Sequence, residues 1–467
     1  MLRASKAAES AGVPSVTIVG SGFMKQAALI SKGLGMPLAV AQYPGAPMLD
    51  GADGVRAKVT EHLLPAIIRG LTTPPEVPWD ETVSPDARTG AAVFRGTLTQ
   101  VQTHYHRQQW SDGLPIIPPT RERVAAFLRF SARDPAESLG VLPQEGRRAT
   151  IHSIAVNGVM AGCRPEYMPL LVAAVEAICD PYFKVEEAGS TTAWESLPII
   201  SGPIIEQLDF NHGAGVMKVG RQANASVGRF LRLYLSNICG YRIPPGAGDK
   251  GSIGYTFNVA LAENEVFARE IGWPTFAQDC GFAAHESVVT VQSVVTISSP
   301  IYSSGDRAVP HMQQLVDVAG QAFSYWAHAA MKIGYWHPLI VIGPSVARVI
   351  ARECGKDEVR KFFWERATMS ASKAQHYCKH TSGMELDFKR LVDGGLLPPE
   401  YAASDDPDRM IRMVVKPEHI GLVVAGDPGR NQSRAYMGNH MHGARTSRRV
   451  VLPPDWEALL EASRESW

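Results

Sequence analysis

The most informative pattern of apolar and polar positions lies at residues 218–240 (KVGRQANASVGRFLRLYLSNICG). A glycine-punctuated polar loop leads into a segment where Val227, Phe230, Leu231, Tyr234 and Ile238 recur at helical spacing. Gln222, Arg229, Arg232 and Ser236 form a second stripe on the same helix. A helix that is apolar on nearly every side is a buried helix, so its two arginines require carboxylate partners or an anionic ligand. Arg221 precedes the first turn, where unpaired N–H groups and the helix dipole favour an anion, and Asn224 follows within that turn. The stretch is therefore either a structural ion-pair network or the floor of a site for an anionic substrate. Glu263, Glu265 and Glu286, carboxylates in apolar surroundings, are the expected partners if Arg229 and Arg232 are structural.

Residues 1–72 read as a small β-α-β-α unit. A β-branched strand at 14–19 ends in Gly20-Ser21-Gly22, and helix 23–34, strand 37–42 and helix 55–71 follow. This order predicts parallel pairing with a right-handed crossover. The glycine turn lacks the rest of a dinucleotide-binding fingerprint. Residues 73–89, rich in Pro, Thr and acid, read as a linker. The larger body, 90–467, opens with helix 94–110. Thr120 caps a helix at 121–130. Helix 150–160 then runs into a turn at 161–164, and Pro165 opens a helix reaching Cys179. LPIISGP (197–203), HPLIVIGP (337–344) and GLVVAGDPG (421–429) are apolar strands with glycine exits, and the first two have the form of an internal duplication. Parallel strands of this kind gather polar loops at their carboxyl ends, where open α/β folds place ligands. Residues 287–298 predict a strand pair or one long strand. The fold class is α/β, a small parallel unit followed by a larger mixed α/β domain.

Composition narrows the function classes. The chain has 467 residues, 45% hydrophobic and 20% charged, which is the profile of a globular protein. Forty-six basic and 46 acidic residues cancel, so no global field draws the chain to nucleic acid or a membrane surface. No uninterrupted apolar run has the length of a spanning helix, and the first residues lack the apolar core of a signal peptide. Six cysteines, widely spaced and without a CxxC pair, suit a reducing cytoplasm. These features predict a soluble cytoplasmic enzyme, and no residue pattern names a cofactor.

Cys163 stands beside Arg164 at a helix N-terminus, with Glu166 three residues on; this setting predicts a lowered thiol pKa and a nucleophile. The alternative is a small buried residue in a tight turn, and Cys280 is the second thiol candidate. Glu186, Glu187, Thr191 and Thr192 form a polar run in which the threonines could bind an anion and a glutamate act as base, or simply a solvated loop. His440 and His442 have i, i+2 spacing suited to one metal ion, and His104 and His106 repeat it. Neither pair has a third ligand at a recognisable distance, so no metal is assigned. The expected catalytic set is Cys163, Glu166 and Glu263. The expected substrate-binding set is Arg164, Thr191, Thr192, Arg221, Asn224 and Arg229, holding a small anionic or carboxylated molecule.

The segments AGVPSVTIVGSGF and GLGMPLAVAQYPG resemble the UGSC family, thiol or selenol proteins named for a Sec/Cys-Gly-Ser-Cys motif. DGLPIIPPT, VNGVMAGCRPEYMP, GRQANASVGRFLRL, IVIGP and GLVVAGDPG resemble the larger domain that accompanies such units. The resemblance implies a flavodoxin-like small unit and thiol-assisted lyase or hydrolase chemistry at a C–S or C–N bond, or thiol-dependent redox chemistry. The tetrad itself is missing, so the family's redox pair maps onto no residue here. Two rivals stand beside this reading: a metal-dependent enzyme using a HxH site, and a non-catalytic partner of a separate CGSC- or UGSC-bearing chain. A homo-oligomer or such a hetero-complex is the expected assembly.

Overall fold

The computed structural model describes residues 2–34, 36–75, 90–142, 146–185, 194–242, 258–438 and 443–465. Cα proximity divides the chain into two compact units. As far as they are described, the first comprises Met1–Pro115, Pro135–Ser153 and Leu233–Lys250, and the second comprises Ile116–Asp134, Ile154–Arg232 and Gly251–Trp467.

In the first unit, strands β1 (Thr17–Gly20) and β2 (Val40–Tyr43) pair in parallel, with Thr17 opposite Val40. Helix Met24–Gly33 connects them. That is the expected β-α-β order, with the strands displaced by a few residues. A preceding helix, Leu2–Ser10, carries too few apolar residues to stand out in the sequence. The expected helix 55–71 spans Ala52–Thr72 and contains a π-turn at Val59–Leu63. Leu64 N–H reaches back to Val59 O there. Pro65 explains the wide turn, because proline has no N–H to continue the regular ladder. Strands β3 (Ser138–Leu142) and β4 (Arg147–Thr150) form an antiparallel pair with a register shift between Ser138 and Val141. The expected helix 94–110 is shorter, Leu98–Arg107, and is closed at its start by a Thr97–Gln100 capping box.

The second unit holds two larger sheets. Its strands are β5 (Glu195–Ser201), β6 (Leu261–Ala262), β7 (Val288–Val294), β8 (Thr296–Ile297), β9 (Ile301–Tyr302), β10 (Leu339–Ile342), β11 (Thr368–Ser370), β12 (Met410–Arg412), β13 (Gly421–Val424), β14 (Gln432–Met437) and β15 (Thr446–Arg449). One sheet has the order β15-β7-β5-β6, with β5 and β6 parallel. The other has the order β13-β10-β14-β8, with β10 and β13 parallel; β9 also pairs with β14. β11 and β12 make a separate antiparallel pair. Residues 287–298 are thus divided between the two sheets as β7 and β8. The LPIISGP strand lies in one sheet and the HPLIVIGP and GLVVAGDPG strands lie in the other.

Every residue of β5 and β7 is buried, which explains why LPIISGP reads as an apolar run and residues 287–298 alternate only weakly. Leu197, Ile199, Leu261 and Val294 from the first sheet share one core with Leu339, Val341, Val423 and Tyr436 from the second, and Phe276 joins them. Backbone hydrogen bonds bring the strand exits together. Glu263 N–H donates to Ile200 O at 3.1 Å, Asn264 N–H to Val424 O at 2.7 Å and Ala425 N–H to Ile342 O at 3.2 Å. The carboxyl ends of β5, β6, β10 and β13 therefore meet around residues 263–265. Among the described residues, no helix is long and apolar enough to cross a membrane.

Candidate functional site

The helix expected within residues 218–240 runs from Gln222 to Asn237 and is buried along its apolar stripe, with Val227, Phe230, Leu231 and Tyr234 at 0% exposure. Gly228 brings it against the segment entering β6, because a Cβ there would collide with the backbone at Asn258 and Val259. Arg232 pairs with buried Glu195 at 3.1 Å, so this arginine is structural. Its partner is not one of the three expected glutamates, which are engaged elsewhere. Glu263 lies by Lys356, Glu265 binds Arg269 and Glu286 binds Arg449. Asn224 is structural too. Its Oδ1 accepts from Asn211 N–H at 2.8 Å, and its Nδ2 donates to Asn211 O at 2.9 Å and Ala260 O at 3.0 Å. Arg221 lies at the surface, 3.7 Å from exposed Asp209. The helix mouth is thus occupied by its own chain, which removes the geometric basis for an anion held between Arg221 and Asn224.

Cys163 follows Gly162, whose φ of +80° makes the tight turn after helix Ile151–Ala161. The thiol is buried, and burial pushes its pKa up to about 12; the neighbouring Ser226 hydroxyl and Arg229 charge offset only part of that. This reverses the expected lowered pKa. Proximity of a cation is outweighed by loss of water around the thiolate. Glu166 is also buried, ion-paired with Arg164 and accepting a hydrogen bond from Ser463 Oγ at 2.9 Å. Cys163, Arg164, Glu166 and Arg229 therefore lie in one neighbourhood, packed and internally engaged. Thr191, Thr192, Glu186, Glu187, His440 and His442 lie outside the described residues. His104 stacks on Phe94 with ring centroids 4.4 Å apart. His104 and His106 share one helix, where an i, i+2 pair points to different faces and cannot close on one ion. Among the described residues, no group of three or more His, Cys, Asp or Glu side chains is arranged to hold a metal.

Glu263 belongs to a second cluster, at the gathered strand ends. Its Oε2 accepts from Phe276 N–H at 2.7 Å and from Ser201 Oγ at 3.3 Å. Its Oε1 is buried without a hydrogen bond, 3.9 Å from Lys356 Nζ. Lys356 itself is bound to Asp279 at 2.8 Å, and Arg360 shares that carboxylate at 2.5 Å. Burial raises the Glu263 pKa to about 7. Lys356 and the Phe276 N–H pull it down, and the Glu265 and Asp279 charges add to the rise. Glu265, two residues on, has both oxygens committed, Oε1 to Gly202 N–H at 2.6 Å and Oε2 to Arg269 at 3.2 Å. Burial raises its pKa as well.

Both glutamates line a cavity of about 370 Å³ with Gly202, Pro203, Ile205, Glu206 and Arg269. Gly202 adopts φ +98°, and a Cβ there would run into the Glu286–Ser287 backbone, so the β5 exit requires glycine. The sequence singled out Glu263 but passed over Lys356, Arg360 and Asp279. A signal did exist. Lys356 and Arg360 are spaced i, i+4 in helix Lys356–Arg366, which puts two cations on one buried face. No family model, curated protein or solved structure matches this chain.

Proposed function

We propose that this protein is an enzyme that uses Glu263 as a general acid and base on a small molecule held at the carboxyl ends of β5 and β6. The observation that carries this reading is a fully buried carboxyl group, poised near neutral pH, with one oxygen free of hydrogen bonds and a place in a cavity wall. A group titrating near the working pH is populated in both forms, which makes proton transfer efficient in either direction. Two carboxyls in unlike environments can divide the labour. Glu265 is held on both oxygens by Gly202 N–H and Arg269, whereas Glu263 keeps Oε1 for a proton. When Glu263 gives up its proton, Lys356 at 3.9 Å offsets the charge that forms. Arg269, half-exposed beside the cavity, offers a cation to a carboxylated substrate.

This chemistry fits the lyase or hydrolase class that the family resemblance implies, with the proton-handling role on a carboxyl rather than a thiol. Cys163 gives the nucleophile reading no support, because its thiol is buried and protonated at neutral pH. The test is a panel of thioethers, amides and β-substituted carboxylic acids incubated with the protein in D2O. Product formation and deuterium incorporation are read by mass spectrometry. Turnover by the wild type with a pH limb near 7, falling by roughly 10²–10⁴-fold in Glu263→Gln, supports the assignment. Turnover that survives Glu263→Gln unchanged removes Glu263 from the chemistry.

A further inference from the structure

Arg445 precedes β15 and carries a poorly compensated charge. Its NH1 is buried and makes no hydrogen bond, and NH2 reaches only the Glu418 carbonyl, at 3.5 Å. Among the described residues it makes no ion pair. The nearby carboxylate, Asp279, is already shared by Lys356 and Arg360. Arg360 has a second partner, Asp357, but that carboxylate lies at the surface. Lys356, Arg360 and Arg445 thus converge on the one carboxylate of Asp279, and Glu263 beside Lys356 has its pKa raised to about 7. A buried guanidinium without a counter-ion is costly unless something anionic completes it.

Two histidines lie within electrostatic range of Arg445. His337 and His419 lie side by side, ring centroids 5.2 Å apart, and the Nδ1 of each is buried without a hydrogen-bond partner. The Arg445 guanidinium lies over the Phe276 ring, 5.4 Å from its centroid. Residue 421 is glycine, and a Cβ there would collide with Arg445 NH1, so the start of β13 leaves space for the guanidinium. Arg445, His337 and His419 are each partly exposed as whole residues, whereas Arg445 NH1 and the two Nδ1 atoms are buried.

We infer that Arg445, His337 and His419 form a binding site for a small oxyanion, a carboxylate or a phosphate. The arginine supplies the charge and a planar fork of donors. Each imidazole supplies one ring N–H at its unpartnered nitrogen. The site is separate from the Glu263 cavity. Phe276 links the two, its backbone N–H binding Glu263 and its ring facing Arg445.

The experiment measures melting temperature and calorimetric binding with inorganic phosphate and, separately, with acetate, each at constant ionic strength set by sodium chloride. The wild type is expected to show saturable binding of at least one anion, at least tenfold weaker in Arg445→Met. A response to phosphate alone assigns a phosphoryl group, and a response to acetate alone assigns a carboxylate. Without added oxyanion, Arg445→Met should melt no lower than the wild type, because it removes an uncompensated charge. His419→Gln, which keeps the arginine, should weaken binding several-fold and serves if Arg445→Met does not fold. A wild type whose response to both anions matches chloride overturns the inference, as does undiminished binding in the variants.

Discussion

Glu263→Gln isolates the proton that the acid–base proposal depends on, and its effect on stability can be worked out without knowing a substrate. The carboxyl group has an ordinary value of 4.5, raised to about 7 in the fold. Between those values the folded protein holds a proton that the unfolded chain releases, so wild-type stability falls as pH rises through that window. The contribution is fully present below pH 4.5 and lost above about pH 7. Roughly 2.5 pH units at about 1.4 kcal/mol each give a total near 3.5 kcal/mol. Glutamine has the shape of the protonated acid and does not titrate. The stability of Glu263→Gln relative to wild type should therefore climb by about 3.5 kcal/mol between pH 4.5 and 7, then level off. Any constant offset, such as altered packing around the amide, moves the whole curve without changing its slope, whereas the attraction to Lys356 is already contained in the raised pKa. Urea unfolding followed by tryptophan fluorescence at half-unit pH steps from 4.5 to 8.5 provides the measurement. A difference that stays flat across this range would mean that Glu263 ionises like an exposed glutamate, and the acid–base proposal would lose its foundation.

Arg232→Met should destabilise the second unit by about 3 kcal/mol, because it removes a cation paired with a buried carboxylate. Adding Glu195→Gln should recover most of the loss in denaturant unfolding; an arginine serving a ligand instead would show little cost in the single variant. Cys163 should resist iodoacetamide at pH 8 in the folded protein and react only on unfolding, as peptide mass mapping would reveal. Rapid native labelling of Cys163 would restore the nucleophile reading and contradict the raised pKa.

How much was legible in the sequence depends on the range of the interactions involved. Local signals carried far. The β-branched run before Gly20, the Thr120 cap, whose side chain accepts from Arg123 N–H, and the apolar strands with glycine exits all appear close to where the pattern places them. Hydrophobic period and capping act within a few residues, so a single chain displays them openly. Glu263 was also visible, as a carboxylate in an apolar stretch, because burial of a charge contrasts with its neighbours.

The partners of each charge were not legible. Arg232 found Glu195, and Glu263 found Lys356 from 93 residues away in the chain, through contacts that exist only after β5, β6, β10 and β13 bring their ends together. The same holds for thiol chemistry. Sequence adjacency to Arg164 argued for a reactive Cys163, but burial decided its pKa, and burial belongs to the packed core. Residue types and their local spacing determined the elements and the pool of candidate groups. Tertiary structure alone decided which of those groups lost their water and which found a counter-charge, because desolvation and Coulomb energy depend on distance in space.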